Sequence, residues 1–175
     1  MAASKPPGRS RGKVVYDLAW GSLLRTTTVG HRLLHRVSGG RLGRRFPGGQ
    51  QVVWISTLGR TSGQWRKNPL LAVPDDATDH GASWVVTGSN AGQAKVPGWV
   101  FNARTNPEGF VEIDGEHFRA RFVEATDSDR DELYARLVSI WKAYAMYEQH
   151  AERYIPVFRV VVGDAVPVSD LPSIA

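Results

Sequence analysis

Two tight turns constrain this chain more than any other feature of its sequence. Gly59-Arg60-Thr61-Ser62-Gly63 separates the runs 51–58 and 65–73, and Asp114-Gly115 separates 109–113 and 116–124. The flanking runs are rich in branched and aromatic residues, the composition of strands. Strands joined by so few residues run antiparallel, because a parallel pair needs a crossover of a dozen residues or more. Asp-Gly between such runs is also a strong short-range hairpin signal. Further strands are predicted at 83–87 and, opened by Pro156, at 157–162. About six mostly antiparallel strands result, arranged as hairpins, which argues for an antiparallel sheet or small barrel, α+β or mainly β, with helices packed outside.

Three segments read as helical. Between 14 and 37 apolar residues recur at three-to-four spacing, in one helix or in two broken near Gly30. Pro97 opens a short helix that ends near Asn106-Pro107. The clearest pattern spans 126–150: Ser128 and Asp131 read as a capping box, and Leu133, Leu137, Ile140, Trp141, Tyr144 and Tyr147 form one face. The chain therefore divides into a flexible basic tail at 1–12, a helical arm at 13–49 and a barrel domain at 50–175.

The arm concentrates the charge. The 175-residue chain carries +5 overall, yet its first 50 residues hold ten basic side chains against the single acid Asp17. The remainder is mildly acidic, with twelve basic and sixteen acidic residues. A nucleic-acid binder is not expected from such a body, since only the arm is basic. The arm's leucines beside its arginines offer a peripheral contact with an anionic membrane, and packing of the same stripe on the barrel is the other reading. No apolar run approaches the roughly 20 residues of a membrane span, and the first residues lack the apolar stretch of a secretory signal. A cytoplasmic location follows, with the inner membrane face as the place of any membrane contact.

Several chemistries drop out. There is no Cys, which removes disulfides, thiolate metal sites and a cysteine nucleophile. His31, His35, His80, His117 and His150 show no metal-ligand spacing, so no metal is expected. The G-x-S-x-G elbow, the P-loop and the dinucleotide fingerprint are all absent.

What remains is an anion-binding pattern. In the segment 59–70 two glycines bracket a turn that presents hydroxyls and backbone N–H groups, while Arg60, Arg66 and Lys67 add three cations. Guanidinium forks and turn amides suit a phosphate or carboxylate, and a solvated basic hairpin tip is the plainer reading. A second small-residue loop, 88–96, runs into the helix that begins at Pro97, with Ser89 and Lys95 as side-chain partners. Trp99 fits core packing or a stacking role.

These residues carry a resemblance. The order Gly-Arg-x-Ser-Gly-x-x-Arg-x-Asn-Pro-Leu at 59–70, then Ser89, Lys95-x-Pro97-x-Trp99, Asn102, Tyr147 and Arg153-x-Ile155-Pro156, resembles the deazaflavin-dependent nitroreductase family over about residues 50–162. The resemblance implies a split β-barrel that uses deazaflavin coenzyme F-420 to reduce quinones, nitro compounds and other conjugated acceptors. It implies that Arg60, Thr61, Ser62, Gly63, Arg66, Asn68 and Pro69 bind the coenzyme around its phosphate and acidic tail, and that Ser89, Lys95 and Trp99 lie along its ring. It implies that Tyr147, with Tyr144, lines the acceptor pocket and supplies a hydrogen bond or a proton. The chain departs from the pattern at 91–92, 96–97, 99–100 and Thr61, changes that bear on the acceptor more than on the coenzyme. An FMN-binding relative of the same barrel and a non-catalytic carrier of a cofactor or lipid are the alternatives. Related barrels imply a monomer or homodimer.

Overall fold

The computed structural model describes residues 44–46, 48–75 and 82–174, together with Gly30. The expected tail and nearly all of the expected helical arm, with its membrane contact, lie outside the described residues. Seven strands and three helices follow: β1 (Val52–Leu58), β2 (Trp65–Leu71), β3 (Val73–Asp75), β4 (Ser83–Thr87), α1 (Gly98–Thr105), β5 (Glu108–Ile113), β6 (Glu116–Glu124), α2 (Asp127–Ile140), α3 (Tyr144–Ala151) and β7 (Val157–Ala165).

All strand pairs are antiparallel, in the order β2-β1-β5-β6-β7-β4-β3. The run 65–73, expected as one strand, is two. Leu71 pairs with Val52 and Val73 pairs with Val85, at opposite edges of the sheet. Only Ala72 separates those edges along the chain, so they approach within about two Cα steps and the sheet must curl upon itself. This is the expected split barrel, with one strand more than the sequence indicated. The two predicted hairpins are present, and Asp114 (φ 51°) and Gly115 (φ 91°) both take the left-handed values that a tight hairpin turn demands.

Alternation along the strands builds two cores. Val53, Ile55, Val86, Val111, Phe122, Phe158 and Val160 fill the barrel, and Trp99, Val100 and Ala103 of α1 plug it. Residues of opposite parity, Val85 and Val157, face outward and meet Leu133, Tyr134, Leu137 and Tyr144 of α2 and α3. Gly109 permits a close approach, since a Cβ there would sit 2.3 Å from the carbonyl oxygen of Ser56.

The helix expected over 126–150 is broken. Trp141 takes extended dihedrals (φ −142°, ψ 92°) after capping α2 with its N–H on the Leu137 carbonyl. Its ring packs edge-on against Phe46 at 5.2 Å, and its Nε1–H donates to the Tyr147 hydroxyl. Val138, Ser139 and Ile140 are weak helix formers, so these tertiary contacts decide the break. The expected capping box is absent too: Thr126 is the N-cap and makes no side-chain cap bond. Pro97 caps α1, which ends before Asn106 as its sequence indicates. Among the described residues no helix is long and apolar enough to cross a membrane.

Candidate active site

A cleft of about 580 Å³ opens where the barrel seam meets α3. One wall is the edge strand β2, through Asn68, Pro69, Leu70 and Leu71. Pro69 belongs on an edge, because it has no N–H to give a second neighbour. The opposite wall runs from Thr87 through Ser89, Asn90 and Ala91, with Pro97 and Trp99 behind it. Tyr144, Met146, Tyr147 and His150 of α3 form the third side, and Phe46 and Trp141 stand at its rim. Among the described residues no Asp, Glu, Lys or Arg lines the cleft. Apolar walls with a few placed polar groups suit a flat, uncharged ring system.

The Ser89 wall is conformationally expensive. Asn90 (φ 48°), Ala91 (φ 49°) and Gly92 (φ 75°) are successive left-handed residues, and the two non-glycines cost about 1–2 kcal/mol each. Side chains hold them there. Asn90 Nδ2 donates to Gln93 Oε1 at 2.9 Å and to the Lys95 carbonyl at 3.0 Å. Arg153, just beyond α3, donates to the carbonyls of Gly88, Ser89 and Gln93. Burial lowers the pKa of this guanidinium, and the nearby Tyr134 and Glu148 work in the opposite direction.

Two tyrosines face one another across α3 with ring centroids 5.3 Å apart, edge to face. Tyr144 is buried, and burial, followed by the neighbouring Tyr147 and Tyr134, pushes its pKa well above the usual phenol range against a side-chain hydrogen bond with Ser89. It stays protonated at neutral pH. Tyr147 is half-buried, and its oxygen accepts from Trp141 Nε1 at 3.3 Å.

The sequence-predicted residues fall into two groups. Asn68, Pro69, Ser89, Trp99, Tyr144 and Tyr147 line the cleft. Arg60, Thr61, Ser62, Gly63, Arg66 and Lys95 are exposed and do not line it. Trp99 is both core and wall, since its ring also packs edge-on against Phe158 at 5.2 Å. The hairpin tip is fastened to α1. The backbone N–H and Nη1 of Arg60 donate to Asn102 Oδ1, Asn102 Nδ2 donates to Thr57, and the Arg60 guanidinium lies 4.9 Å from the Phe101 ring centre. Arg66 Nη2 donates to Gln64. Arg66 and Asn68 are two residues apart on β2 and so share a face, which leads from the cationic tip to the uncharged cleft. This donor set fits an elongated ligand with an anionic end and a flat end.

Phe46, Thr87, Trp141, Met146 and His150 also line the cleft and were not singled out by sequence. Their approach depends on the break at Trp141 and on barrel closure, and neither leaves a local signal. Arg153 was legible only as part of a motif, with no role attached.

Comparison with known proteins gives the family of the chain. The F420H(2)-dependent quinone reductase family matches residues 22–162. An F420H(2)-dependent quinone reductase of Mycobacterium tuberculosis is 29% identical over 134 residues, covering 73% of this chain and 84% of the relative. A solved F420-H2 dependent reductase (FDR-A) is 28% identical with TM-score 0.55, covering 62% of this chain and 92% of its own. A second solved chain, a domain-swapped dimer, is 26% identical with TM-score 0.58, covering 80% and 98%. The split barrel, with its cleft beside a cationic hairpin, is the fold of a chain that belongs to the F420H(2)-dependent quinone reductase family.

Proposed function

We propose that this family member holds reduced coenzyme F-420 with its ring in the cleft and its anionic tail along the β1–β2 hairpin, beside a quinone or nitro acceptor. The observation that carries this reading is the shared face of β2, on which Asn68 lines a cleft with no charged residue among the described ones and Arg66 stands exposed toward the turn that holds the exposed Arg60. When bound, the coenzyme supplies a hydride, a two-electron reductant for an electron-poor acceptor.

The chain's own residues position and shield. Arg60 and Arg66, with Thr61, Ser62 and the amides around Gly63, bind the phosphate and acidic tail. Asn68 and Pro69 carry the ligand from tip to cleft. Ser89 and Trp99 bound the ring, and the apolar walls exclude water. Tyr147, with Tyr144 behind it, meets the acceptor oxygen that gains charge on reduction.

The test is anaerobic consumption of reduced coenzyme F-420 by purified protein given a soluble quinone. Turnover with this coenzyme and none with reduced FMN is expected. Turnover with FMN alone would assign the FMN chemistry, and binding without turnover would leave a carrier.

Two further parts concern the assembly. The domain-swapped relative supports pairing of two copies of this chain, and the basic, leucine-bearing arm supports docking of a cytoplasmic protein on the inner membrane face. Light scattering that finds only monomer would remove the first, and failure to sediment with anionic liposomes would remove the second.

A further inference from the structure

Arg153 follows Glu152, whose left-handed backbone (φ 49°) ends α3, and reaches from there to the opposite wall of the cleft. Its Nε donates to the Gln93 carbonyl at 3.1 Å, and its Nη2 donates to the carbonyls of Gly88 at 3.0 Å and Ser89 at 3.1 Å. Nη1 turns back to the Tyr154 carbonyl at 3.3 Å. The first three acceptors bracket the left-handed residues Asn90, Ala91 and Gly92, so one planar fork pins both ends of a conformation the local sequence does not favour.

The same turn is pressed against α3. A Cβ at Gly92 would lie 3.2 Å from Tyr147 Cδ1 and 3.3 Å from His150 Cβ. Ser89, at the start of this turn, and Tyr144 of α3 both line the cleft. Release of the three carbonyls frees the turn to relax toward ordinary dihedrals, which carries Ser89 away from Tyr144 and widens the cleft between them.

We propose that Arg153 is a positioning residue for the reductase reaction: it locks the Ser89–Gln93 wall onto α3 and thereby sets the width of the cleft. The proposal rests on the functional reading above and deepens it. A flat ring gripped between two walls gains most from walls that are already at the right separation.

Arg153→Met keeps the length of the side chain and removes every donor, Arg153→Lys keeps the charge without the fork, and Arg136→Met removes a guanidinium that serves Asp75 and Pro74 away from the cleft. In the unliganded Arg153→Met protein the amides of Gly92 and Gln93 are expected to exchange at least about tenfold faster than in wild type, with the barrel amides unchanged. Coenzyme Kd and quinone KM are expected to rise about tenfold, with kcat falling less, Arg153→Lys in between and Arg136→Met at wild-type values. An Arg153→Met protein that melts lower yet keeps wild-type turn exchange, Kd and KM would overturn the proposal. Should that variant fail to fold, the same readouts on Arg153→Lys decide, and wild-type exchange and affinity there overturn it equally. Exchange is measured without coenzyme, so it judges Arg153 separately from the functional reading, which fails instead if the wild-type chain ignores coenzyme F-420.

Discussion

Tyr147 offers a hydroxyl whose oxygen already accepts a hydrogen bond from Trp141, and such a bond polarises the remaining O–H toward donation. Tyr144, buried and with its pKa raised chiefly by that burial, is the poorer donor and the better prop. Tyr147→Phe is therefore expected to lower kcat about tenfold or more while leaving coenzyme affinity within about twofold, read from steady-state kinetics and binding titration. Unchanged kcat would restrict Tyr147 to forming the pocket wall. Both tyrosines, like Asn68 and Ser89, were legible because each sits in a motif or on an apolar stripe. Phe46, Met146 and His150 were not, since an aromatic, a methionine and a lone histidine carry no meaning until the chain has brought them to one cleft. Lys95 shows the converse, a motif residue whose side chain stays exposed outside the wall.

At the scale of elements, ion pairs weld the short strand β3 to α2 and β7. Burial raises the pKa of Asp75, but hydrogen bonds from Arg136 and Arg159 more than offset it, and the carboxyl ends below its ordinary value. Arg159 likewise holds Asp129 down. Groups with depressed folded pKa values stabilise the fold above the unfolded value near 3.8, and that contribution disappears as pH falls through the folded values. Asp75→Asn is accordingly expected to cost about 3 kcal/mol at pH 7 and to flatten the loss of stability below about pH 4, as followed by urea unfolding across pH. A variant with wild-type stability at pH 7 would show that β3 is held by its strand pairing instead. The two misread elements share a cause with this network. Residues 65–73 have unbroken strand composition and 126–150 an unbroken apolar stripe, yet closure of the barrel at Ala72 and packing of Trp141 against Phe46 cut both. Local composition reports which residues want burial. It does not report which of two partners supplies it.

On the scale of the whole molecule, the barrel was legible because hairpin turns fix strand direction and strand direction limits topology. The cleft was not, because it lies at the seam where the two sheet edges meet and is finished by a helix that the sequence shows as continuous. On the proposed function the ligand has two ends to satisfy, a slot with no charged lining among the described residues and a cationic ribbon, and the two must act together. Fluorescence titration of coenzyme F-420 against wild-type protein and the Arg60→Gln/Arg66→Gln double variant measures this directly. The variant is expected to bind at least about tenfold more weakly, with wild-type affinity weakening as salt is raised and the variant's changing little. Equal affinity for both proteins, insensitive to salt, would contradict the account.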